Sequence, residues 1–523
     1  MKKLLSLILA LLMIFACTSV AFAAEEKYPV IYIPGYGSDL YAEKGNKNSE
    51  LIYPTGADVG AIVKEAIAPC LKELALAIAT GDYDKYCDEL YNAVHPIYED
   101  LVLAPDGMPK DNSGRGDNPN SVWLDYSRFS HGETFFAYDW RLSPEYCAEQ
   151  LVDRIDIVLK KTGAKKVSIV ARCFAGNILS AYLQNHSDHA KAKVNDAVLF
   201  IPSTEGINLI GALFAGKIDI VAENLDTYAE SFLKYEAIIE DTAVRDLVVV
   251  MVSILEQAKA LNLGTDALQK LIDEIKDNLI PRLVRRTYGS FPSFWSMVPT
   301  EYLEDAIAFV YNTPELQEEY KGTIDKARSY NSNVMLNARN CIKELSGDID
   351  ISVISKYNLP LMPVFADCKA TSDGIAETEY TSFGATVADF GKTLSADYIA
   401  SISEENKKFL SPDNMIDAST CALPEKTWFI KNSYHDHFPA SIDKLIEAIL
   451  TTDIDVFSNE LYPQFLDAAV TAETIVPVEK AETEVTPDDG NDESNKTEKE
   501  NWFDILRRFI QSIINFFKGL FTK

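Results

Sequence analysis

The chain has 523 residues, 47% of them apolar, enough for a large core and for one elaborated domain or two ordinary ones. Its 79 acidic residues outnumber 49 basic ones, a net charge of −30 whose field repels phosphate backbones and disfavours nucleic-acid binding. After the amino-terminal leader, no stretch reaches the ~18 uncharged apolar residues that a membrane span needs.

Residues 1–23 carry Lys2 and Lys3, then an apolar run broken only by Ser6, then Ala21-Phe22-Ala23. This layout predicts a secretory signal peptide, a mature chain starting near Ala24, and a secreted or extracytoplasmic location. A lipoprotein cut at Cys17 is the rival reading, and Phe15 fits it poorly. Losing Cys17 leaves seven cysteines, so at least one thiol is unpaired; pairing among the other six stays open. No CxxC pair or Cys/His cluster has zinc spacing, and neither a metal nor any other cofactor is expected.

Nearly continuous apolar runs at 28–33, 134–137, 166–170, 196–201, 361–366 and 427–430 predict strands buried on both faces. Helical patterns at 144–161 and 174–184 alternate with them. The expected class is therefore α/β with a mostly parallel central sheet. Two mostly helical insertions, 58–130 and 206–350, interrupt this domain of 24–472; insertions of this size read as a cap or lid, with a purely structural subdomain as the alternative. Within the first, 103–121 reads as an exposed loop. An acidic linker follows at 473–500, too poor in apolar residues to fold. Residues 501–523 place Trp502, Phe509, Phe516 and Phe517 on one helical face, with Arg507, Arg508, Lys518 and Lys523 supplying net positive charge. That pattern predicts a helix lying on a membrane surface, with docking back onto the domain as the alternative.

The strongest chemical signal is Ala171-Arg172-Cys173-Phe174-Ala175-Gly176, a strand entering a helix through small-x-Cys-x-small. A nucleophile elbow needs small residues two before and two after the reactive side chain, because neighbouring backbone comes close. The bland alternative is a buried core cysteine. Pro34-Gly35-Tyr36-Gly37-Ser38 forms a glycine turn after the first strand, placed to supply backbone N–H groups to an oxyanion, with Phe174 supplying another. Asp373 follows the run at 361–366 and His435 the run at 427–430, which completes the order nucleophile, acid, base. Asp373 alone would be an ordinary Asp-Gly turn residue.

Residues 29–42, with Pro34-Gly35, Gly37-Ser38, Leu40 and Ala42, resemble the amino-terminal strand and oxyanion turn of the lecithin:cholesterol and phospholipid:diacylglycerol acyltransferases. Tyr138-Asp139-Trp140-Arg141 is similar to that family's Tyr-Asp-Trp-Arg segment, and Phe291-Pro292-Ser293 and Met297-Val298-Pro299 to its segment near the end of the cap. The resemblance implies an α/β-hydrolase fold with a helical cap and no cofactor. It also implies transfer of an acyl group from a lipid or other ester, to water or an alcohol. In that reading Cys173 is the nucleophile, His435 the base and Asp373 the acid, with Tyr36, Gly37 and Phe174 at the oxyanion hole and Trp140 in substrate binding. His435 is preferred to His437 because Phe438 matches the apolar residue three after the family's base. Cysteine replaces the family's serine, Arg172 its histidine, and Ala171 and Ala175 two glycines. A cysteine nucleophile on this fold has a parallel in dienelactone hydrolases. The competing readings are a secreted binding protein that keeps the fold without turnover, and a hydrolase of non-lipid esters.

Overall fold

The computed structural model describes residues 28–53, 68–217, 270–271, 273–362, 368–452, 454–468 and 474–479. The leader at 1–23, the linker at 473–500 beyond residue 479, the helix expected at 501–523 and much of the cap lie outside them. No helix among the described residues is long and apolar enough to cross a membrane.

Eight strands form one sheet: β1 (Val30–Ile33), β2 (Glu133–Phe135), β3 (Val167–Arg172), β4 (Val194–Phe200), β5 (Asp350–Tyr357), β6 (Thr427–Lys431), β7 (Phe465–Asp467) and β8 (Val476–Pro477). Their spatial order is β8-β7-β6-β5-β4-β3-β1-β2. All neighbours are parallel except the β7–β8 edge pair. The α/β class with a mostly parallel sheet is thus observed.

Parallel pairing needs crossovers, and the helices that provide them cover both faces. Ile31, Ile169, Leu199 and Val353 face one cluster, packed by α1 (Pro144–Thr162) through Ala148, Leu151 and Ile155 and by α2 (Ala175–Asn185) through Ile178 and Leu179. Val30, Val170, Val198, Ile354 and Ile430 face the other, under Ile442, Leu445, Ile446 and Ile449 of α3 (Ala440–Thr452). This double burial explains the unbroken apolar runs. Helix α1 starts where the Ser143 side chain accepts the Tyr146 N–H with Pro144 at the first turn, and stops at left-handed Gly163.

One expected strand is corrected. The strand is Asp350–Tyr357, not 361–366: Leu361 and Met362 are buried core residues outside any strand, and 363–367 lie outside the described residues. Prolines 360 and 363 cannot donate to a ladder, whereas Ser352, Ser355 and Lys356 made the true strand look too polar. The second insertion builds a separate helical cluster around Phe214, Trp295, Leu303, Ile307 and Ile324. The loop at 103–121 is less exposed than expected, because Leu103, Ser113 and Gly107 are buried. The two insertions meet there: the Leu103 N–H donates to Ser290 Oγ at 3.1 Å.

Candidate active site

Strand β3 leads directly into α2 through Cys173, whose φ of 53° lies in the left-handed region. For a residue with a Cβ that conformation costs roughly 1–3 kcal/mol, and surrounding bonds must hold it. The Cys173 N–H donates to the Phe200 carbonyl at 2.9 Å, and its carbonyl accepts from Gly176 at 2.8 Å and Ser203 at 3.3 Å. Ala171 and Ala175 are fully buried and fit their places. The tightest approach falls one residue later, because a Cβ on Gly176 would lie 2.5 Å from Pro202 Cβ. On the other side, a Cβ on Gly35 would lie 3.4 Å from Cys173 Cβ, so the glycine turn runs alongside Cys173. Gly37 takes φ 95°, which glycine alone tolerates easily. Phe174 stands at the amino end of α2, where backbone N–H groups lack partners within the helix.

The Tyr138-Asp139-Trp140-Arg141 segment supports this turn from behind. Tyr138 donates its hydroxyl to the carbonyls of Pro34 at 2.7 Å and Gly35 at 3.0 Å, and the Trp140 indole donates to Ser38 at 2.7 Å. The Trp140 ring is 1% exposed and lies 4.2 Å from Tyr36, centroid to centroid. Trp140, expected in substrate binding, is an indole buried in the core and bonded to the turn that it supports. Arg141, equally buried, forks onto Asp139 at 3.0 and 2.7 Å and reaches Leu101 and Ser113 of the first insertion. The four residues join the turn at 34–38 to the first insertion.

Cys173, His435 and Asp373 come together although far apart in the chain. His435 Nδ1 lies 2.7 Å from Asp373 Oδ2 and His435 Nε2 lies 3.2 Å from Cys173 Sγ. The second Asp373 oxygen accepts from the N–H groups of Ile375 at 3.0 Å and Ala376 at 2.8 Å, and the His435 N–H donates to the Asp373 carbonyl at 2.9 Å. Asp373 and His435 are buried, whereas Cys173 is half-buried and reachable. Burial raises the Asp373 carboxyl, but the His435 ring and these donors outweigh it, leaving it below the usual carboxylate range. Burial lowers His435, yet Asp373 and the Cys173 sulfur more than compensate, so the ring holds its proton well above the ordinary histidine range. The arrangement can draw a proton from Cys173 and keep it on an imidazolium beside a fixed carboxylate.

Further charges surround this relay. Arg172 pairs with Asp436 at 2.8 Å, and its guanidinium carbon lies 3.4 Å from the Phe438 ring centroid, so the residue before Cys173 is tied to the loop that carries His435. Lys356 of β5 reaches the same loop from within the core. Glu377 is buried, accepts from the Asn208 N–H at 3.4 Å, and leaves its other oxygen without a partner among the described residues. Burial pushes its carboxyl up to about 8. Neither Lys356 nor Glu377 was anticipated, because the segment around Lys356 is too mixed in polarity to read as a buried strand. His437 and Asp436 join no metal cluster: among the described residues no three His, Cys, Asp or Glu side chains are placed to hold an ion. Cys87, Cys147, Cys173, Cys341 and Cys421 are free thiols.

No protein-family model matches this chain, and no curated protein matches it in sequence.

Proposed function

We propose that this protein is an acyl-transfer enzyme of the α/β-hydrolase fold, acting on a lipid or other ester through a Cys173–His435–Asp373 triad. The observation that carries the reading is the unbroken relay from Asp373 through His435 to a half-buried thiol on a left-handed elbow. The motifs similar to the lecithin:cholesterol acyltransferases, and the glycine turn beside Cys173, support it further.

Cys173 gives its proton to His435 Nε2, and the thiolate so formed attacks the acyl carbon, forming the S–C bond as the carbonyl electron pair moves onto oxygen. Backbone N–H groups of Phe174 and the Tyr36-Gly37 turn hold the oxyanion, and Asp373 stabilises the imidazolium. As the C–O bond to the leaving alcohol breaks, His435 returns the proton to that oxygen. A thioester remains on Cys173. Water or an alcohol then attacks the thioester carbon, giving its proton to His435; the C–S bond breaks, the acid or new ester leaves, and His435 returns the proton to the sulfur. Export through the leader, and contact with a lipid surface through Trp502, Phe509, Phe516 and Phe517, belong to the same proposal.

Incubating the mature protein with short-chain and lipid esters, followed by intact-mass measurement, tests it. A mass increase equal to the acyl group, mapped to Cys173 and lost in Cys173→Ala, is expected. Ester binding without any adduct or turnover overturns the enzyme reading in favour of a binding protein.

A further inference from the structure

Lys356 is the only lysine among the described residues with no exposed surface in the sheet core, and nothing in the acyl-transfer scheme uses it. It lies near the carboxyl end of β5, in register with Ile430 of β6. Its ammonium donates to three carbonyls, those of Tyr434 at 2.7 Å, His435 at 3.1 Å and His437 at 2.8 Å. All three belong to the turn that carries the base. The same nitrogen lies 4.4 Å from the Phe438 ring centroid and 5.5 Å from that of Phe200, which close it off from water.

We infer that Lys356 is a positioning residue whose ammonium folds the 434–438 turn around itself and so holds His435 against Cys173. This deepens the acyl-transfer reading and rests on the same triad. The turn must bring the His435 backbone to Asp373 and its ring to Cys173 at once, while three carbonyls converge on one point. Converging carbonyl dipoles repel one another and are costly to bury unpaired. An ammonium has three donors, one for each carbonyl, and its charge attracts all three dipoles. A neutral amine has only two N–H bonds and turns its lone pair toward the third carbonyl. The turn therefore depends on the charged form.

The charged form is held against a substantial cost. Burial lowers the Lys356 amine to about 7, with the Asp373 carboxylate opposing that fall and the Arg172 guanidinium adding to it. Asp436 and Cys173 are the other charged or titratable groups facing it, and both favour the proton. Loss of that proton in the neutral range leaves one carbonyl without a donor, and His435 then loses its fixed distance to the thiol.

Iodoacetamide labelling of Cys173 reads this without requiring any ester turnover, so a failed acyl-transfer reading leaves the test intact. At mildly acid pH, folded Lys356→Met is expected to label Cys173 on the order of 10- to 100-fold more slowly than the natural chain, the penalty for displacing a reacting group by about 1 Å. Lys356→Gln keeps two donors without the charge and should fall between them. A merely structural lysine would shift the melting temperature and leave labelling of the folded protein unchanged. That result overturns the inference. A second measurement needs no variant: hydrogen exchange of the 434–438 amides, corrected for the intrinsic effect of pH. Protection is expected to drop as pH rises through 7, and constant protection from mildly acid to mildly alkaline pH overturns the inference equally.

Discussion

Replacing Gly176 by alanine isolates the geometry of the elbow, since the change adds one methyl group and no polar atom. The new Cβ would lie 2.5 Å from Pro202 Cβ and 2.9 Å from Pro202 Cα. Carbon atoms pack at about 3.5–4.0 Å, so the shortfall is about 1 Å or more. Neither side yields easily. The Gly176 N–H is bonded to the Cys173 carbonyl at 2.8 Å, and Pro202 is a rigid ring between Ile201, bonded to Ile354 at 2.7 Å, and Ser203, bonded to Cys173 at 3.3 Å. The helix must move away from the strand end, and Cys173, with its left-handed φ, moves with it. Overpacking of this kind costs typically about 1–3 kcal/mol, and a 1 Å misplacement at a reacting group costs on the order of 10²-fold in rate. Urea unfolding should show the first loss, and iodoacetamide labelling of Cys173 in the folded protein the second. Gly347→Ala is the control, because nothing lies within 4 Å of its added carbon. Natural stability and natural labelling in Gly176→Ala would refute the close approach and the elbow built on it.

Cysteine reactivity and the pH dependence of stability follow from the same structure. In the folded protein iodoacetamide should label Cys173 before the other six described cysteines. Burial pushes the thiols of Cys70 and Cys341 up to about 11 and those of Cys87 and Cys421 to about 12, and Cys147 well above its ordinary value. Peptide mapping after brief exposure checks this, and early modification of Cys341 instead would count against it. Glu377, raised to about 8, favours the fold while protonated; that contribution is full below the unfolded value near 4.5 and is lost as pH rises to about 8. Glu377→Gln should therefore flatten the fall in unfolding free energy between those limits, by a few kcal/mol at the alkaline end. Parallel pH curves for the two proteins would show that Glu377 ionises freely in the fold.

Much of this site was legible in the sequence because its signals are local. A buried parallel strand must be apolar on both faces, so β1, β3, β4 and β6 declared themselves, and Cys173 and His435 lay just beyond strand ends. Cys173, between Ala171 and Ala175, reads as an elbow for steric reasons that need no partner. The contact of Trp140 was not legible, because nothing in the motif shows that its indole serves the Ser38 carbonyl.

The charges that fix the base were not legible, since they depend on distance in space alone. Arg172 and Asp436 are 264 positions apart, and Lys356 stands 78 positions before Tyr434. No spacing rule links such residues. Lys356 also concealed its own strand: a lysine and two serines in eight residues argue against a buried β5 until their polar atoms are accounted for. Ser355 is satisfied by Thr381 at 2.6 Å, the buried Ser352 hydroxyl has no partner among the described residues, and Lys356 is satisfied by the turn that carries His435, so of the three only the lysine belongs to that turn. A buried strand with an unexplained lysine is thus better read as a strand whose partner is missing from view than as a loop. The place to look for that partner is the carboxyl edge of the sheet, where the reactive groups converge.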